Sequence, residues 1–461
     1  SEGARMSGRK GIAILLAGVG ILSGLLYALN FRLAPLVDRL GLTAREGDPL
    51  GAYPFLYFTL FALYGVAGAA VLRKRHGSSC LGLIVGFAIL FRVALLVAPL
   101  VLSSDLYRYI WDGRVQRAGI NPYLYPPSAP ELAALRDEDV YPRINRPEAT
   151  TIYPPGAQML FAVIATLFPD SVTGMKGIMI LFDLGTMVLI IRLLKRRGID
   201  PDRVLLYAWS PLVIFELAGS GHLEALMLPF VLLALLSSMD GKSFLAGTAL
   251  GTATLIKLYP AALLPALVRR GDRVFPLVVA ATILAGYLPY VTGAGGKVLG
   301  FLPGYFAAEE DFNVGLRDVL AFVLGPFTAS ARPVAILLVT ALLGGVAFCL
   351  ARRGNAGDVL WRGYLMVSAY LVLLPTSLHP WYLIWILPFL CLFPTWGWLY
   401  LTGAIALSYV KYLQEPELLP LGIRLVEFVP LVALLVFQAL WHRRVATEAA
   451  RGMTPMAETS R

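Results

Sequence analysis

Chemistry in this chain is concentrated where the apolar segment ending at Leu102 gives way to the run Asp105-Leu-Tyr-Arg-Tyr-Ile-Trp-Asp112. A helix turns about 100° per residue, so Asp105, Arg108, Tyr109 and Asp112 share one stripe of that run. A carboxylate so placed can take the proton of a hydroxyl nucleophile, and a guanidinium one turn on can hold a phosphate oxygen. Asp112 lies about 10 Å further along the axis, out of reach of the same atom. It is assigned to sugar contact or to helix packing. The plainer alternative is an amphipathic helix at the membrane edge whose Asp–Arg pair is simply satisfied.

Other residues of the same kind recur downstream. Lys257 in LIKLYP, Arg317 and His379 join Arg108 as candidate ligands of a phosphate. Tyr153, His222, Glu224 and Trp381 join Asp112 as candidate contacts to a sugar or to the group that accepts it. Each has a plain role open to it: His222 in GSGHLEA can cap a turn, and Glu309, Glu310 and Asp311 read as a solvated loop face. Ionisable residues at membrane depth nevertheless point to function by default, and these map to one side of the membrane. Cys80, Cys349 and Cys391 suggest no pair and no metal spacing, and read as small core residues. No cofactor is required by the pattern. Asp105 and Asp112 can share a divalent ion only with phosphate oxygens or waters completing its shell.

The elements that position these residues are membrane helices. Of 461 residues, 58% are hydrophobic and 15% charged, and apolar runs near twenty residues long recur. The net charge of +10 comes from short basic clusters between those runs. That is the positive-inside pattern, and it argues against nucleic acid as a partner. The expected class is an all-α polytopic membrane protein, a single integral-membrane domain over 1–461 with no internal repeat.

Charge places both termini in the cytoplasm. Ser1 to Arg5, ahead of Met6, are set aside, and 11–30 reads as a retained anchor. Spans at 51–72 and 80–102 then put the polar stretch 103–158 outside. The run 156–168 is too short for a comfortable crossing. Were it a span, Lys195-Arg-Arg197 would fall outside, so 156–168 is expected to lie along the interface with 177–194 crossing inward. Further spans are expected at 203–218, 223–239, 274–292, 333–351, 360–376, 380–394, 396–412 and 423–442. A re-entrant hairpin over 243–268 breaks near Lys257-Leu-Tyr-Pro260. The total is roughly twelve spans plus the hairpin, a second external loop at 293–332, and a mobile polar tail over 445–461.

The segments SSDLYRYIWDGRVQRAGINPYLYPP, TIYPPGAQ, GSGHLEAL, LIKLYP and HPWYLIWILPFL, in that order, resemble integral-membrane glycosyltransferases of the GT-C superfamily. The nearest group is the glycosyltransferase 87 type, which includes polyprenyl-phosphate-mannose-dependent mannosyltransferases. The resemblance covers about Cys80 to Pro394. It implies two juxtamembrane helices in the first large external loop, with Asp105 as catalytic aspartate, Arg108 near the donor phosphate and His379 as a late-loop histidine near the donor. The spans at 11–30 and 51–72 precede the loop where many relatives have a single span, and Glu224 stands where aspartate is the more usual residue. The implied function is inverting transfer of a sugar, mannose first, from a polyprenyl-phosphate donor to a hydroxyl on a glycolipid or lipid-linked glycan. The implied site faces the exterior of the bacterial inner membrane, with lipids as further partners. The alternative is a transporter or flippase of lipid-linked sugars, which predicts pseudo-symmetric halves and polar residues through the full depth.

Overall fold

A backbone in hydrocarbon must bond its own polar groups, and this chain does so with helices; among the described residues there is no strand. The computed structural model describes residues 2–43, 45–74, 79–307, 312–313, 315–353, 358–373, 377–414 and 417–452, with backbone alone at 2–9, 305–307 and 442–452. Glu309, Glu310, Asp311 and the tail beyond 452 lie outside the described residues. The last helix, Leu421–Gly452, includes the first residues of the expected polar tail.

Among the described residues, six helices are long and apolar enough to cross a membrane: Lys10–Arg39, Pro49–Arg73, Val172–Arg196, Val274–Gly304, Ala331–Arg352 and Leu421–Trp441. A seventh is counted if Pro211–Gly219 and Glu224–Met239, which meet at 118°, form one broken span. The expected count of roughly twelve was larger. Leu81–Leu96, Pro155–Leu167, Ser243–Ile256, Val359–Val372 and Pro380–Leu392 are apolar but only 10–17 residues long. Proline accounts for much of the difference. Ser210-Pro211 divides what the sequence presents as one run at 203–218, because proline has no N–H to continue the ladder. Pro380 and Pro388 likewise turn 380–394 into a 3-10 stretch, Pro380–Ile386, followed by the short helix Leu387–Leu392. The break expected near Lys257 is present: the helix Ser243–Ile256 ends there, and Lys257 is extended (φ −149°, ψ 138°).

The polar stretch 103–158 begins with the helix Asp105–Arg117 and runs into the helix Pro155–Leu167, opened by Pro154-Pro155. These two helices touch at Gly113. A Cβ there would fall 2.6 Å from the Phe161 carbonyl oxygen, so only glycine permits the approach. Between the helices, Arg114 gathers the loop. Its Nε donates to Asp170 Oδ1 at 2.9 Å, its Nη1 to the Leu135 carbonyl at 2.9 Å and its Nη2 to Asp137 Oδ2 at 2.6 Å. Partial burial pushes the Asp137 carboxyl up, but Arg114 and the N–H groups of Tyr141 and Val140 outweigh it and hold the group well below the usual carboxylate range. The loop also docks on the next one: Asn121 Nδ2 donates to the Tyr290 carbonyl at 3.0 Å, and the Phe301 N–H to that of Thr151 at 3.2 Å.

Asp112 is the buried hub of this unit. Its Oδ1 accepts from Arg108 Nε at 2.9 Å, and its Oδ2 from Thr151 Oγ1 at 2.6 Å and Gln158 Nε2 at 2.8 Å. Arg108 spends a second donor on the Ala149 carbonyl at 3.1 Å. One carboxylate thus joins the first helix, the loop strap and the second helix.

Removing one member of such a buried pair strands the other, at a cost of about 3–5 kcal/mol. Asp112→Ala is therefore expected to lower the melting temperature of the detergent-solubilised protein sharply. Gly113→Val should do so through overpacking, by about 1–3 kcal/mol. A melting curve for either variant that superimposes on wild type would contradict this account.

Candidate active site

Asp105 is the first residue of the helix Asp105–Arg117, a position where a carboxylate also meets the helix's unpaired N–H groups. Its side chain keeps 21% of its surface exposed, unlike Asp112 at 3%. Asn145, in the strap between the two loop helices, donates Nδ2 to Asp105 Oδ1 at 2.6 Å. The other oxygen faces His222 Nδ1 at 3.7 Å. This is a carboxylate oriented from two sides and still open on a third, the arrangement a general base requires.

His222 reaches Asp105 through the turn Gly219-Ser-Gly-His222. Gly221 has φ +73°, and a Cβ on it would strike Leu106 Cδ1 at 2.3 Å, so the turn packs directly on the Asp105 helix. The imidazole then heads a column of parallel rings: His222 on Trp381 at 3.9 Å, Trp381 on His379 at 4.6 Å, His379 on Phe312 at 4.7 Å. Late segments of the chain are thereby brought to the early loop. Hydrogen bonds from Leu378 to the Phe312 and Asn313 carbonyls fasten the far end of the column.

Glu224, two residues after His222, is fully buried and pairs with Lys257; it also accepts from Tyr259 OH at 3.0 Å. Lys257 keeps 19% of its side chain exposed, and its Nζ lies 4.5 Å from the Tyr382 ring centroid. The imidazole of His379 lies in the field of Lys257, Lys411 and Arg146. Tyr153 stands edge-on to Tyr109 at 5.0 Å, and burial, with the Asp105 charge nearby, pushes its phenol well above the usual value. It stays a neutral hydroxyl.

The structure thus brings Asp105, Tyr153, His222, Glu224, Lys257, His379 and Trp381 into one neighbourhood. It places Arg108 and Asp112 beside them but commits both to packing, so the satisfied Asp–Arg pair is the observed state. Both Asp112 oxygens are buried and accept hydrogen bonds from the protein. Arg317 is buried at the start of the helix Leu316–Leu324, beyond the Phe312–Asn313 segment.

Several residues of this neighbourhood were not anticipated. Asn145 and Arg146 sit in a polar loop with no periodicity to mark them, and Arg146 adopts φ 51°, unusual for a non-glycine residue. Glu216, Tyr409 and Lys411 lie in apolar runs, and the rule for intramembrane charge would have found Glu216 and Lys411. The same rule would have found Arg92 and Asp183, a fully buried pair whose Nε–Oδ2 distance is 2.5 Å; Tyr207 OH donates to Asp183 Oδ1 at 2.6 Å. Asp183 lies about 16 Å into its helix, so buried polarity reaches deeper than the external side to which the sequence assigned it.

Comparison with known proteins bears on the family of the chain. The alpha-(1->6)-mannopyranosyltransferase A of Corynebacterium glutamicum is 30% identical over 224 residues, 47% of this chain. The aligned stretch covers 42% of that relative's length. The family described as alpha-(1->6)-mannopyranosyltransferase, N-terminal domain, matches residues 14–270, which hold Asp105, Asn145, His222 and Lys257. With more than half of its length matched, this chain belongs to the alpha-(1->6)-mannopyranosyltransferase family.

Proposed function

We propose that this protein is a membrane-embedded mannosyltransferase that moves mannose from a polyprenyl-phosphate donor to a hydroxyl of a glycan acceptor. The observation that carries the reading is the setting of Asp105, a partly exposed carboxylate held by Asn145 and His222 at the mouth of the ring column. Asp105 takes the proton of the acceptor hydroxyl as that oxygen attacks the anomeric carbon. Polyprenyl phosphate leaves from the opposite face, and a single displacement of this kind inverts the centre. Lys257 and His379 are positioned on the ring wall to meet the leaving phosphate, and Trp381 and Tyr382 offer flat faces to a pyranose. Lys257 must then exchange part of its contact with Glu224 for the phosphate.

The reaction is placed on the outer face of the bacterial cytoplasmic membrane. Its support is the grouping of basic ends opposite the site. Lys74 pairs with Asp200 and Asp202, Arg196 with Asp240, and Arg197 with Asp358 at 2.5 Å, so these ends lie on one side. By the positive-inside bias that side is cytoplasmic. The Pro155–Leu167 helix, on this reading, lies along the outer interface.

Two measurements test the proposal. Asp105→Asn keeps size and most hydrogen bonds but loses the base, so the purified variant should remain folded and bind donor while turnover falls at least about a hundredfold. Turnover is read as free polyprenyl phosphate released from polyprenyl-phosphate mannose in the presence of acceptor. Normal turnover would refute the assignment of the base, and a donor that crosses the bilayer intact would favour a flippase. For sidedness, Arg196→Cys in a background lacking Cys80, Cys349 and Cys391 should resist an impermeant thiol reagent in intact cells. Ready labelling would invert the topology.

A further inference from the structure

Behind Asp105 lies a second carboxyl group that the displacement does not use. Glu216 belongs to the π-helical stretch Ile214–Gly219 and is fully buried. Its Oε1 accepts from Tyr409 OH at 2.8 Å. Its Oε2 has no aligned hydrogen-bond partner but lies 3.2 Å from His222 Nε2, which also has none. The other ring nitrogen, Nδ1, is the one that faces Asp105 Oδ2 at 3.7 Å. One imidazole is therefore set between two carboxyl groups, one at the mouth of the site and one in the interior.

The ring is held there. Trp381 stacks on it at 3.9 Å, and the His222 backbone N–H donates to the Glu216 carbonyl at 3.0 Å. Among the described residues the basic side chain that meets Glu216 is His222. Burial of a bare carboxylate is costly, so the interior favours the neutral acid. Because Tyr409 donates to Oε1, the acid proton belongs on Oε2, the oxygen that faces Nε2. An Nε2 that accepts leaves the ring proton on Nδ1, directed at Asp105.

We infer that Glu216, as a neutral acid, fixes the tautomer of His222 so that Nδ1–H steadies the ionised Asp105 carboxylate. The inference rests on Asp105 being the base. His222 and Glu216 are positioning residues: the acceptor's proton goes to Asp105, and the protons on Nδ1 and Oε2 stay where they are. An ionised Glu216 would reverse the arrangement, drawing the ring proton to Nε2 and turning a lone pair toward Asp105. The other charged or titratable groups around the two are Tyr53, Tyr57 and Tyr409 beside Glu216, and Glu224, Lys257 and, across Trp381, His379 beside His222. A substitution at Glu216 isolates its share of the pH profile from theirs.

The test uses the purified full chain with polyprenyl-phosphate mannose and acceptor, reading kcat and donor KM across pH. Glu216→Gln keeps a carbonyl for Tyr409 and supplies an N–H for Nε2. It is expected to keep kcat within about threefold and to lose whatever limb of the pH profile is due to Glu216, whereas Glu216→Leu should lower kcat by about tenfold with donor KM unchanged, the size of one hydrogen bond. Wild-type kcat and pH profile in Glu216→Leu would overturn the inference. So would equal slowing of both variants with the profile unmoved, which would mark Glu216 as packing alone. If Glu216→Leu does not fold, a wild-type pH profile in Glu216→Gln is sufficient to reject it. Asp105→Asn, run in parallel, separates the two levels. Normal turnover there removes the base and this inference together, while an inactive Asp105→Asn beside an unaffected Glu216→Leu removes this inference only.

Discussion

The structure around Asp105 depends on one constraint: a charge taken out of water must be matched. Asp112 meets it with Arg108, Thr151 and Gln158, and in doing so ties two helices and the strap between them into a single unit. Because that unit is fixed, the first residue of its leading helix is fixed too. Asp105 then needs only Asn145 and the facing His222 to orient its side chain, and it remains partly open. The buried partner does the holding, and the exposed one is free for chemistry.

The same constraint shapes the cation side. Lys257 stands at an interrupted helix, where backbone groups already lack their ladder, and Glu224 neutralises it from the neighbouring helix. Aromatic faces surround the pair, with Tyr382 and Tyr259 under the ammonium group. A pocket arranged in this way carries little net charge when empty, and an arriving anion must compete with a resident carboxylate. Such competition favours ligands that bring other contacts, such as a ring to stack or a lipid chain to bury, over simple inorganic anions.

Much of this was legible in the sequence, and what was not has physical reasons. The stripe of Asp105, Arg108 and Asp112 follows from helical spacing, and the break at Lys257 from Pro260 and its neighbours. Spacing could not tell which carboxylate is satisfied, because Thr151 and Gln158 lie about forty residues further on. Span counting from hydropathy overran because prolines such as Pro211 and Pro380 divide apolar runs without making them less apolar. The ring column joins positions 222, 312, 379 and 381, and no periodicity links them. Asn145 was invisible for a further reason: an isolated asparagine in a loop has no pattern until the fold sets it against a carboxylate. Glu216 was different, since a lone acid in Val213-Ile-Phe-Glu-Leu217 is anomalous on its face.

That column also has a consequence in time. Asp105 and the strap that orients it leave the ribosome early, but Phe312, His379, Trp381 and Tyr409 come from the last third of the chain. Some 300 residues separate Asp105 from Tyr409. At roughly 5–20 residues per second, Asp105 exists for about 15–60 s before the wall behind it has been made. Throughout that interval His222 has no ring to lie on and Glu216 no phenol to cap it. The nascent chain is inserted with this neighbourhood unfinished, and a stretch translated late, 379–409, is the one that completes it.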